Sequence, residues 1–233
     1  MVHFEQLERL GVSCAAMSDR ADGDCGWAKA RHQDRAAFLR RAGIHPGHLV
    51  APRQHHSNIV VPADIRDQGK GAFDGRTAIA DADGLATNVR GLPLGITVAD
   101  CVPVFLFAPD KQAGALIHAG REGTRRRIAA GAVTSLDAIY GAKARHMHAL
   151  VGPSAGPCCY EVSAELAEQW AAEGLPRRGR LLHLWEANRM QLMDAGVPEG
   201  QITVVGECTI CGGRFHSYRA HRASHRNLAV LAL

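Results

Sequence analysis

A chain of 233 residues with 46% hydrophobic and 21% charged side chains is long enough for one large domain or two small ones, and no linker-like stretch divides it. A net charge of +4 and an aromatic content of 5% exclude the basic, aromatic-lined face of a nucleic-acid binder, so an anionic small molecule is the better-matched partner. The N-terminal segment is broken by charges and has no signal-peptide core, and no apolar run approaches the roughly 20 residues that span a bilayer. A cytoplasmic protein without membrane contact is expected. Seven cysteines, an odd number, then read as thiols or ligands rather than a disulfide framework.

The first third is weakly patterned. Ala36, Ala37, Leu39 and Arg40 favour a helix over residues 30–42, which Gly43 stops. Extended pieces follow at 48–51 and 58–61, with Pro52 and Pro62 as breakers, and 64–77 reads as a surface loop within one domain. Runs rich in Val, Ile, Leu and Phe predict strands at 94–99, 102–108 and 113–118, the last two joined by a turn at 109–112. Ile128, Ala132, Val133, Leu136 and Ile139 predict one apolar helical face. A strand over 146–151 leads into a loop rich in Pro, Gly and Cys. Helices over 163–173 and 184–195, the second stopped by Gly196, precede strands at 202–205 and 228–231. Several strand runs are apolar enough to be covered on both faces, so the fold expected is a layered, mixed α/β domain spanning 1–233.

Three polar groups sit at the edges of apolar runs, where they need a partner: one of the adjacent His55 and His56, Cys101, and His118. Converging in space, two His and one Cys could hold a Zn²⁺ and leave a fourth position open, as a catalytic zinc requires. An extended segment turns only one of His55 and His56 inward. Copper oxidase chemistry is the less fitting alternative, because it needs many paired His and this chain shows one constellation.

Five motifs appear in order: D-A-D-G-L-A-T-N (81–88), T-V-A-D-C-V-P-V (97–104), H-A-G (118–120), G-P-S-A-G-P-C-C-Y-E-V (152–162), and C-T (208–209) followed by F-H-S-Y-R (215–219). They resemble those of the laccase-domain proteins, a YfiH-like family also labelled multicopper polyphenol oxidase, which includes purine nucleoside phosphorylases and the peptidoglycan editing factor. The resemblance implies a single-domain layered α/β fold and a zinc held by His56, Cys101 and His118; His55 then faces solvent. It implies phosphorolysis of purine nucleosides, deamination of adenosine and cleavage of methylthioadenosine, or removal of misincorporated serine from muropeptide precursors. Arg121 and Glu122 follow H-A-G where the family usually has Trp-Arg, and D-R-A-D-G-D-C-G (19–26) replaces a Gly-Gly-x-Ser near the N-terminus.

Around this centre, Asp100 and Gln54 are candidates for fixing a ligating imidazole, Asp100 also for catalysis beside Cys101, and Ser57 for a substrate hydroxyl. Arg121, Arg125, Arg126 and Arg127 open a helix, where cations oppose the macrodipole unless an anion such as phosphate is near. Arg219 and Arg226 are further anion ligands, and Tyr160 or Phe215 a wall for a purine. Cys208 and Cys211 form a lone C-x-x-C with no second pair following it, and are expected to be plain thiols. Two rival functions use the same residues: a metal-free Cys–His amide hydrolase with Cys101 as nucleophile and His118 as base, and a non-catalytic metal- and nucleoside-binding protein.

Overall fold

The computed structural model describes residues 1–27 and 32–233. In chain order the elements begin with β1 (Val2–His3), α1 (Glu5–Glu8), β2 (Cys14–Met17), α2 (His32–Arg41), β3 (Val60–Pro62), β4 (Gly84–Thr87), β5 (Leu94–Val98), β6 (Val102–Ala108) and β7 (Ala113–Ala119). They continue with α3 (Arg121–Arg125), α4 (Ile128–Tyr140), β8 (His148–Val151), α5 (Ala164–Ala172), β9 (Arg177–Arg178), β10 (Leu181–Leu182), α6 (Leu184–Asp194), β11 (Ile202–Val204), α7 (Tyr218–His221) and β12 (Asn227–Ala232).

The chain is mixed α/β. A six-stranded sheet in the order β11-β8-β6-β7-β4-β3 packs on a four-stranded antiparallel sheet in the order β1-β2-β12-β5. In the larger sheet only the outer pairs, β11 with β8 and β3 with β4, are parallel. Strand periodicity explains the layering. In β6, Val102, Val104 and Leu106 face a core shared with α4, α5 and α6, while Phe105 and Phe107 face the second sheet. Both faces are covered, which is why β6 and β7 read as continuous apolar runs. Beyond the smaller sheet, Phe38 and Leu39 of α2 cover Ala16, Leu228 and Val230.

The predicted strands at 94–99, 102–108, 113–118, 202–205 and 228–231 all form within a residue or two of their expected ends. The helix expected at 30–42 is seen as α2; its expected start lies outside the described residues. Ser163 caps α5 by accepting from the Leu166 amide, which sets the start of that helix. Three expectations are corrected and one is refined. Residues 46–48 form a 3₁₀ turn, leaving one isolated bridge, at Val50, in the segment read as extended at 48–51, and Pro52, read as a breaker, forms another. Residues 144–146 are likewise a 3₁₀ turn, so β8 starts later. Ile139 is 43% exposed and lies off the buried face of α4. The loop at 64–77 contains two 3₁₀ turns capped by Asp64 and Asp74. Among the described residues no helix is long and apolar enough to cross a membrane.

Candidate active site

Two strand ends and one loop meet at the rim between the sheets. His118 lies near the end of β7, on the same face as Leu116 and therefore toward the smaller sheet. Cys101 is in the tight link between β5 and β6, which turns at Asp100 with a positive φ of 82°. His56 is in the loop before β3. It too has a positive φ, 64°, so the segment is a turn and not the extended stretch expected. Its Nε2 lies 3.8 Å from Cys101 Sγ, and its ring packs edge-on against that of His118 with centroids 4.9 Å apart. One donor atom from each of the three residues falls within 4.8 Å of the others. A tetrahedral zinc with one S and one N ligand sets those atoms about 3.6 Å apart, so the donor set fits such an ion. Gly120 makes the approach possible, because a Cβ there would stand 2.9 Å from His56 Cδ2 and 3.0 Å from Cys101 Sγ.

The residue that organises the centre is Asp83, in the D-A-D-G motif, which was not among the expected site residues. Its carboxylate is fully buried and accepts from the amides of His55, His56 and Ser57 at 3.2, 3.0 and 2.6 Å, and from the Ser57 hydroxyl at 2.8 Å. It also accepts from His118 Nδ1 at 2.8 Å, while the Asp83 carbonyl accepts from the His118 amide at 2.7 Å. Thus one carboxylate imposes the turn that presents His56 and fixes the His118 tautomer, leaving Nε2 to face the other donors. Burial opposes the carboxylate, yet the hydrogen bonds from His118 and Ser57 hold its pKa far below the usual carboxylate range. Burial likewise opposes a charged Cys101 and a charged His118. The two imidazoles nevertheless draw the thiol down, and the sulfur and Asp83 draw His118 up. Both directions describe a centre that favours positive charge beside the sulfur.

A cavity of about 510 Å³ opens onto the three donors. Gln54, His56, Asp100, Cys101, His118 and Arg121 line it. So do Tyr160, Arg219 and Arg226 of the expected residues, together with Arg53, Trp27 and Tyr218, which sequence reasoning missed. Four arginines thus face the space, and among the described lining residues Asp100 is the one carboxylate. The Arg219 guanidinium lies over the Tyr160 ring, 4.7 Å from its centroid, giving a wall that is both flat and cationic.

Several expected roles are redistributed. Asp100 does not touch an imidazole: Oδ1 accepts from the Thr209 hydroxyl and Oδ2 from the Arg219 amide, each at 2.7 Å. Gln54 pairs both its amide atoms with the backbone of Thr97, extending β5 at its end. Ser57 is buried against Asp83 and does not line the cavity. Arg125 points away, pairing with Glu122 and Glu173 at 3.1 and 3.0 Å, because α3 is a short turn that directs only Arg121 inward. Arg126 and Arg127 are exposed. Phe215 is 1% exposed and packs in the core between the sheets. His55 is exposed, as expected, with Nδ1 on the Arg53 carbonyl.

The family described as multi-copper polyphenol oxidoreductase laccase matches residues 22–233. This chain belongs to that family. Over 167 residues the laccase-domain chain is 35% identical to a Bacillus subtilis protein named purine nucleoside phosphorylase YlmD, covering 67% of this chain and 59% of that one. A protein named adenosine deaminase RL5, from an unknown prokaryotic organism, is 33% identical over 76% of this chain and 71% of its own length. The crystal structure of the Bacillus licheniformis hypothetical protein YfiH superposes with a TM-score of 0.91 at 27% identity, covering 100% of this chain and 96% of that one.

Proposed function

We propose that the cavity is the active site of a zinc-dependent purine nucleoside phosphorylase, with His56, Cys101 and His118 holding the metal. The observation that carries the reading is the pairing of an open three-donor centre with four arginines around one cavity. A cavity of about 510 Å³ is the size of a small-molecule site, and four arginines against one carboxylate suit it to an anionic reactant such as phosphate. Zinc, when bound, supplies Lewis-acid activation and charge neutralisation at the open position. Asp83 keeps His118 in the tautomer that leaves Nε2 free, and holds the His56 turn through backbone amides.

Arg121 and Arg219 hold phosphate, and the Tyr160 ring under the Arg219 guanidinium supports the flat base. Phosphate oxygen forms the new bond to C1′ of the ribose as the bond from C1′ to the purine nitrogen breaks. The electron pair leaves with the base, which takes a proton. With both oxygens engaged by Thr209 and Arg219, Asp100 positions Cys101 and the phosphate-binding segment rather than moving that proton. Adenosine and methylthioadenosine are the nucleosides of this reading. Deamination of adenosine is the second activity: a metal held by the three donors would supply the activation of a water, which adds to C6 of the purine as ammonia leaves.

Incubation of purified protein with adenosine and phosphate, with products separated by chromatography, tests the reading. Free adenine and ribose 1-phosphate that vanish when phosphate is omitted are expected. No turnover of adenosine, together with amide hydrolysis that is indifferent to chelators and abolished by thiol alkylation, would instead point to the Cys–His amide hydrolase, and binding without turnover to a non-catalytic protein.

A further inference from the structure

A second cluster of metal-type donors lies outside the cavity lining. The sulfurs of Cys158, Cys159, Cys208 and Cys211 all fall within 4.8 Å of one another. Two turns far apart in sequence supply them: the vicinal pair in G-P-C-C-Y, and the C-x-x-C of C-T-I-C-G-G. The pair that complements the C-x-x-C therefore precedes it in sequence.

The fold holds these turns together by several independent contacts. Ser154 and Cys208 form an isolated parallel bridge, with the Ser154 amide donating to the Glu207 carbonyl at 3.2 Å and the Thr209 amide to the Ser154 carbonyl at 2.9 Å. In the first turn the Cys159 and Tyr160 amides both donate to the Gly156 carbonyl at 3.0 Å; in the second the Gly212 amide donates to the Cys208 carbonyl at 2.9 Å. Gly156 permits the contact, since a Cβ there would stand 2.7 Å from the Trp185 ring and 3.0 Å from Cys208 Cβ.

The chemistry of the donors points to a cation. The Gly156 amide donates to Cys208 Sγ at 3.2 Å, which fixes that sulfur against the first turn. Cys158 Sγ and Cys211 Sγ are 3.7 Å apart, far beyond a disulfide bond of about 2.05 Å and equal to the edge of a tetrahedron, about 3.8 Å, around a zinc with sulfurs at about 2.3 Å.

We propose that Cys158, Cys159, Cys208 and Cys211 form a closed tetrathiolate site for Zn²⁺ that clamps the loop at 152–160 to the turn at 208–213. Four thiolates complete the coordination of zinc, so the site is structural and takes no substrate. Its mechanical consequence reaches the cavity: the first segment carries Tyr160, and the second carries Thr209, whose hydroxyl holds Asp100 beside Cys101. This site stands independently of the reaction assigned to the cavity.

The test is elemental analysis of three purified full-length proteins: wild type, a His56→Ala/Cys101→Ser variant, and a Cys158→Ser/Cys211→Ser variant. Both cysteines of the last are exposed, so their replacement leaves the packing intact, and circular dichroism checks the fold. The His56→Ala/Cys101→Ser protein is expected to keep about one zinc per chain, and after exchange for Co²⁺ to show the intense sulfur-to-metal charge-transfer absorption of a thiolate site. The Cys158→Ser/Cys211→Ser protein is expected to lose about one zinc per chain relative to wild type. A metal-free His56→Ala/Cys101→Ser protein, unchanged zinc after loss of Cys158 and Cys211, iron with inorganic sulfide at the site, or disulfides among these cysteines in freshly purified protein would each overturn the proposal.

Discussion

Two clusters of sulfur and nitrogen donors are linked through the Thr209–Asp100 hydrogen bond, and they differ in what remains open. Around Cys101 there are three donors, a buried carboxylate behind them and a cavity in front. Around Cys208 there are four sulfurs and backbone amides, and none of these cysteines lines the cavity. The first arrangement spends a carboxylate to orient imidazoles toward a free position; the second leaves no position free. Donor type alone would class both as zinc sites. The number of donors, and what lies beyond them, separates a centre that can do chemistry from one that can only hold the chain.

That contrast is broken most directly at the open centre. Replacing His118 by Ala should lower kcat/KM for phosphorolysis by about a thousandfold or more, equivalent to about 4 kcal/mol, and remove the metal from that centre only. Steady-state kinetics with metal analysis of the same sample check this, and full activity would sink the assignment. Next in size is Asp83→Asn, expected to weaken metal binding at the open centre about 10- to 100-fold in competition with a chelator. Asp100→Asn should leave that affinity nearly unchanged, because its carboxylate faces Thr209 and Arg219. Equal losses in the two variants would show that burial near the site, not contact with the ligands, governs affinity.

A smaller effect separates the arginines. Arg121→Ala should raise KM for phosphate about tenfold, the cost of about one charged hydrogen bond, while Arg125→Ala should change it by less than about twofold. Initial rates at varied phosphate decide between them. The smallest effect concerns stability and pH. Burial lowers the pKa of His216, against a hydrogen bond from its Nε2 to the Gly23 carbonyl. Its contribution is therefore complete above the unfolded value of about 6.5 and is lost as pH falls through that value toward the lower folded one. Thermal unfolding of His216→Gln should lose less stability than wild type between about pH 7.5 and about pH 5.5. Parallel curves for the two proteins would contradict this.

Legibility followed the length of the signal. The central strands β6 and β7 are seven residues each and buried throughout, so their ends were readable from composition. β1 is two residues long, and β2 (C-A-A-M) and β4 (G-L-A-T) carry few of the branched and aromatic side chains that mark the comparably short β11 (I-T-V), so all three were missed as strands. His56, Cys101 and His118 stood out because each interrupts or edges an apolar run. Asp83 lies in a quoted motif, but its role depends on five groups that reach it from the 55–57 loop and β7, and a carboxylate's partners are not written beside it. Of the arginines that follow His118, Arg121 and Arg125 were both read as anion ligands, whereas the fold sends the first to the cavity and pairs the second with Glu122 and Glu173. The four cysteines escaped for the same reason as Asp83: each pair is half of a pattern whose other half arrives only through the bridge at Ser154.

The most direct test of the central claim is metal content and adenosine phosphorolysis measured on one preparation of Cys101→Ala beside wild type. The account predicts that the variant loses about one zinc per chain together with its turnover while retaining the fold. A variant that still phosphorolyses adenosine, or a wild type fully active after metal removal, would contradict it.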